Sequence, residues 1–112
     1  MTRMIRIECP PPLQTILCEA VREYAGAAYP PGCSECGQVA HVALMEAALK
    51  LETDFAANDG KYAGLSRRLR APFRAAFQYY AEQHQRQEIE PLLLRLLQGE
   101  TVSHAEWSAH AS

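Results

Sequence analysis

The chain is predicted to fold as an all-α domain: a compact helical bundle of four to five helices with a short N-terminal strand or arm. Apolar residues recur at three- and four-residue spacing through most of its 112 positions. Proline and glycine clusters separate those runs into lengths that suit helices of one small domain. A hydrophobic content of 48% supplies a core for a single domain of this size without disulfide or metal staples. The expected organisation is an N-terminal arm over 1–12, a helical core over 13–99, and a short C-terminal helix and tail over 100–112.

Each element has its own signals. Residues 3–7, RMIRI, suit a short strand or a docked arm, and no partner strand is evident in the sequence. After Cys9-Pro10-Pro11-Pro12, the residues Leu13, Ile16, Leu17, Ala20, Val21 and Tyr24 form one helical stripe that Pro30-Pro31-Gly32 ends. Ser34 suits the N-cap of a second helix, which runs to about Asn58 before Asp59-Gly60 turns the chain. That helix carries two apolar stripes: Leu44, Ala48, Leu51 and Phe55 on one side, and Val42, Met45, Leu49 and Ala56 on another. Glu46, Lys50, Thr53 and Asp54 form its main polar face. A helix apolar on two sides sits centrally in its own bundle or packs against a second subunit, so a homo-oligomer is expected.

A third helix is predicted from near Leu65, with Ser66 or Asp59 as cap and Leu65, Leu69, Phe73, Ala76, Phe77 and Tyr80 as its core stripe. Pro72 lies inside that run and predicts a kink or a fresh start, because proline removes a helix hydrogen bond. Pro91 suits the first turn of a helix bearing Leu92, Leu93, Leu96 and Leu97 and closed by Gly99. Ser103 with Glu106 reads as a capping box for a last helix carrying Trp107.

Composition excludes some functions. A net charge of −2 does not make the whole molecule a polyanion binder. The opening MTRMIRIECPPP lacks the apolar run of a signal peptide, and no stretch approaches a membrane span, so a soluble, cytoplasmic protein without membrane partners is expected. Four cysteines in that setting point to thiols or metal ligands rather than disulfides. No motif for an organic cofactor appears.

The segment YPPGCSECGQVAH, 29–41, places Cys33, Cys36 and His41 at the first three ligand spacings of a zinc knuckle. Glu46 stands where the fourth ligand belongs, leaving Cys9, Cys18, His104 or His110 to complete a site. Helix geometry opposes it: with Ser34 as cap, Cys36 and His41 point roughly 140° apart around the axis. A redox pair of Cys33 and Cys36 lacks the alternating strands and helices that usually carry one. The expectation is therefore no metal, with Cys33 and Cys36 as small residues in a helix-opening turn and a zinc-binding protein as the alternative.

Between Lys61 and Arg74 the chain holds five of its eleven cations, and no acidic residue occurs from 60 to 81. On a helix Arg67, Arg70 and Arg74 share one face with Gln78, opposite Leu65, Leu69 and Phe73. Guanidinium groups so spaced suit phosphates or a row of carboxylates, each bound bidentately. This face is the predicted partner- or ligand-binding site, with nucleic acid as the alternative partner. The pairs His84–Glu88 (near Glu82) and His41–Glu52 are the remaining polar combinations, and neither makes a catalytic set. No phosphate loop or nucleophile turn accompanies them, and no enzymatic activity is expected.

Glu46-Ala47-Ala48-Leu49 followed by Phe55-Ala56-Ala57-Asn58, with the Pro30-Pro31 turn, Glu35 and the proline-rich entry at Pro10–Pro12, resembles the helical hairpin of phage anti-defence sponges. That family sequesters cyclic-nucleotide signals of bacterial immune systems such as CBASS and Thoeris. The resemblance covers a third to a half of the chain. The family tends to carry tryptophan near Lys50 and arginine before its closing asparagine, where this chain has Ala57, so no pocket residue transfers. The resemblance implies a non-enzymatic inhibitor from a phage or mobile element. Its partner would be a host immune protein complex or that system's nucleotide signal.

Overall fold

The structure, a computed structural model, describes residues 4–111. Residues 1–3 of the expected arm and Ser112 of the tail lie outside the described residues. The helical bundle is as predicted, with five α-helices among the described residues. They are α1 (Pro11–Ala28), α2 (Glu35–Ala57), α3 (Arg70–Gln83), α4 (Glu90–Leu97) and α5 (His104–Ala111). Two strands join them, β1 (Met4–Ile7) and β2 (Ala63–Ser66). Among the described residues no helix is long and apolar enough to cross a membrane.

Local chemistry sets the helix ends. Prolines fill the first turn of α1, where backbone N–H groups need no partner. Ser34 caps α2, its Oγ accepting the Gly37 N–H at 3.1 Å. The chain leaves α2 through Asp59 and Gly60, both at positive φ (57° and 73°). Pro72 marks a fresh start rather than a kink, since α3 begins only at Arg70 and the ring falls in its first turn. The capping box of α5 is complete: Ser103 Oγ accepts from Glu106 N at 3.1 Å, and Glu106 Oε1 accepts from Ser103 N at 3.2 Å.

One element differs from expectation. The segment from Leu65 does not open a helix: Ala63–Ser66 is β2, followed by a 3-10 turn over Arg67–Leu69. β2 is the missing partner of β1, paired antiparallel with Ile5 opposite Leu65 and Ile7 opposite Ala63. Those four side chains are buried, while Met4 and Arg6 face outward, the alternation expected of a ribbon covering a core.

Helix α2 guards the free edge of this ribbon. Asp54 Oδ2 accepts the Gly64 N–H at 3.1 Å and Lys50 Nζ at 2.6 Å, and Lys50 also donates to the Gly64 carbonyl at 3.3 Å. Both polar groups of an edge residue are thereby covered. A Cβ on Gly64 would lie 3.2 Å from Met4 Cε, the end of a flexible exposed side chain that a small shift moves aside.

The core lies between α1, the inner face of α2, α3 and α4. Leu13, Leu17 and Val21 of α1 meet Leu44, Leu51 and Phe55 of α2, while Phe73, Phe77, Leu93 and Leu96 fill the far side. The C-terminal segment closes it, with Trp107 and Val102 buried and Val102 N donating to Glu8 O at 3.1 Å.

The ribbon clasp is testable through pH. Lys50, and then the Gly64 N–H, hold the Asp54 carboxyl below its ordinary value of 3.8. A depressed carboxyl contributes stability above that ordinary value and loses it as pH falls through the lower folded-state value. Asp54→Asn is therefore expected to lower unfolding stability near neutral pH by about 1–2 kcal/mol, with a smaller difference from the parent below pH ~3. Chemical denaturation at several pH values measures both.

Candidate binding surfaces

In the cysteine-containing turn His41 is engaged with the neighbouring helix, its Nδ1 lying 3.0 Å from Ala25 O and 3.1 Å from Tyr29 O. An Nδ1–H there donates to the last carbonyls of α1, so His41 serves as a side-chain cap for the neighbouring helix. Among the described residues no three His, Cys, Asp or Glu side chains gather where they could hold a metal. Cys33 is half-buried and packs over the first turn of α2, where a Cβ on Gly37 would lie 2.8 Å from its Sγ. Cys36 is exposed. Burial pushes the Cys9 thiol up to about 12 and the Cys18 thiol up to about 11. Both are structural rather than nucleophilic.

The two polar pairs of the sequence are divided among other partners. His84 Nε2 lies 2.9 Å from a Glu23 carboxylate oxygen, linking α3 to α1, while Glu88 pairs with Arg86. Glu52 pairs with Arg22 across the groove between α1 and α2. That groove, of about 470 Å³, also holds Glu19 and has Phe55 in its lining. Two carboxylates beside one guanidinium make it unfavourable for a phosphate.

The arginine face is partly redistributed. Arg70 does not point away from the body, because its Nε donates to Leu97 O at 3.1 Å and caps α4. Arg67 stands in the 3-10 turn ahead of α3, beside Arg68, whereas Arg74 and Gln78 continue along α3 itself. Arg67, Arg68, Arg74 and Gln78 are all exposed. No acidic partner meets Arg67, Arg68 or Arg74 among the described residues, whereas Arg6, Arg22, Arg86 and Arg95 each pair with glutamate.

A second surface is apolar. The inner stripe of α2 is buried as predicted, but the outer one is not: Val42 is 52% exposed, Met45 37% and Leu49 61%. Val39, 71% exposed, extends that stripe by one turn. Its signal in the sequence is its position three residues before Val42. Apart from Met4, these are the exposed large apolar side chains among the described residues. Glu35 and Glu46 flank a shallow cavity of about 550 Å³ over Val39 and Val42. A concentrated patch of this kind marks an interaction surface more often than isolated exposed residues do.

Compared with known proteins, the chain matches no family model, no curated protein and no solved structure.

The thiols give a direct check of this geometry. A thiol reagent at pH 8 is expected to modify Cys36 first and Cys33 more slowly. Cys9 and Cys18 should react only on unfolding, which mass spectrometry of the labelled peptides resolves. Cys33→Ser is expected to change stability by less than about 1 kcal/mol, and elemental analysis should find substoichiometric zinc. Early labelling of Cys18 would contradict the packing of α1 on α2.

Proposed function

We propose that this protein is a non-enzymatic helical binder, a phage or mobile-element inhibitor that docks on a protein of a host immune system and works as a homo-oligomer. The observation that carries the binding role is the arginine end, Arg67, Arg68 and Arg74 with Gln78 beside them. Four other arginines are neutralised by glutamate and Arg70 caps a helix, but these three keep their forks turned to solvent. Such groups suit bidentate carboxylates on an acidic partner surface. The immune target rests on the resemblance of the α1–α2 hairpin to anti-defence sponges. Within that reading, docking on a protein has more support than sequestering a nucleotide, because Glu19 and Glu52 oppose an anion in the interhelical groove. The same arginines would also suit nucleic-acid phosphates, and salt dependence separates the two.

The test compares the parent with an Arg67→Gln, Arg68→Gln, Arg74→Gln variant in capture from a host lysate, with mass spectrometry identifying what is retained. The triple variant is expected to keep the parent's stability within about 1 kcal/mol, since all three side chains are exposed. It should lose at least about tenfold in affinity for the captured protein, as charge-assisted contacts contribute roughly 1.5–3 kcal/mol each. Arg70→Gln alone should instead destabilise the fold by about 1 kcal/mol. A partner held equally by parent and triple variant would show that the arginine end is merely solvated. Duplex binding with a steep salt slope would move the reading to nucleic acid.

A further inference from the structure

The outer face of α2 has a regular order. Glu35, Val39, Val42, Glu46, Leu49, Thr53 and Ala56 follow one another at alternating four- and three-residue steps, the spacing of a two-helix seam. At 23 residues the helix is about 34 Å long, enough for three heptads. The opposite side of the helix is occupied by the core, so nothing within the described chain remains to cover this seam. We infer that a second copy of this chain covers it, with α2 packed antiparallel against α2 about a two-fold axis between Glu46 and Leu49.

Self-complementarity selects that occupant and direction. The seam holds the branched Val39 and Val42 in its first half and Thr53 and Ala56 in its second. Antiparallel pairing sets the first half of one copy against the second half of the other, Val42 facing Thr53 and Val39 facing Ala56. In that register Leu49 of each copy lies level with Glu46 of the other, and the two Leu49 positions are about 4.5 Å apart along the helices. Charges agree with this register. Glu46 has no ion-pair partner among the described residues, and Lys50, one turn on along the same flank, keeps half its side chain in solvent while touching Asp54. A two-fold axis brings like flanks together, so Glu46 of each copy falls beside Lys50 of the other, twice. Parallel pairing would instead place Glu35 by Glu35 and Glu46 by Glu46, and align the two helix dipoles. Four apolar side chains per copy make a small seam, which sets the association in the micromolar range rather than as an obligate dimer.

This inference deepens the self-association in the proposed function and is independent of the arginine end. Its test is disulfide trapping in a Cys33→Ser, Cys36→Ser background that carries either Val42→Cys or Thr53→Cys. Mixing the two variants under mild oxidation is expected to give covalent dimer at least about tenfold above either variant alone. In the antiparallel register two copies of position 42 lie about 16 Å apart, well beyond disulfide reach. Leu49→Glu should raise the dimer dissociation constant roughly 100-fold, because each new carboxylate lies level with Glu46 of the other copy and replaces an apolar contact, with an unchanged circular dichroism spectrum. Sedimentation equilibrium measures that constant. A parent that stays at 12.5 kDa throughout the micromolar range would overturn the inference, as would efficient trapping by Val42→Cys alone. Loss of a lysate protein by Leu49→Glu, with the parent monomeric, would assign the seam to a foreign partner and overturn it too. The monomeric Leu49→Glu protein should still bind through Arg67, Arg68 and Arg74, which keeps failure here distinct from failure of the arginine reading.

Discussion

Helix α2 is apolar on two opposite sides, and the chain covers only one of them. Its inner stripe, Leu44, Ala48, Leu51 and Phe55, is the wall against which the core is built, and every neighbouring element is tied to it by a specific contact. His41 caps the end of α1, Asp54 and Lys50 hold the edge of β2, and Arg22 reaches Glu52 across the first groove. Fully burying a valine, leucine or methionine stabilises a protein by about 1.5–3 kcal/mol each. The fold leaves Val39, Val42 and Leu49 more than half exposed and Met45 about a third exposed, so that stabilisation is not realised within the described chain.

Polar groups follow a complementary logic. Among the described residues no charged side chain is buried, and no buried side-chain polar atom lacks a hydrogen-bond partner. Histidines, carboxylates and arginines form surface pairs that join one helix to the next, as Glu23 does with His84 and Glu106 with Arg95. Sheltered clusters of titratable groups are the usual setting of catalysis. Here the exposed groups instead form two surfaces, one cationic and one apolar.

Helix ends were legible because their signals are local. Ser34, Pro91 and the Ser103–Glu106 box each act within three or four residues of their own position. The strand β2 was not legible for the opposite reason. Leu65 fits a helical stripe with Leu69 and Phe73 as well as it fits strand alternation with Ala63, and the deciding contact is β1, nearly sixty residues away. The same distance effect hid the role of Arg70, whose position on a helix face predicts solvent but whose partner is the Leu97 carbonyl at the end of α4. The two-sided character of α2 was visible in its sequence. Which side faces water depends on where α1 and the ribbon dock, and periodicity alone does not decide that.

The central claim is that the outer face of α2 forms an interface while the rest of the molecule is self-sufficient. Amide spectra of isotope-labelled protein over a dilution series test it residue by residue. The account predicts concentration-dependent shifts confined to α2 between about Glu35 and Ala57, strongest near Leu49, with α4 and α5 unmoved. Spectra that stay the same across the series, or shifts centred on α4 and α5, would contradict it.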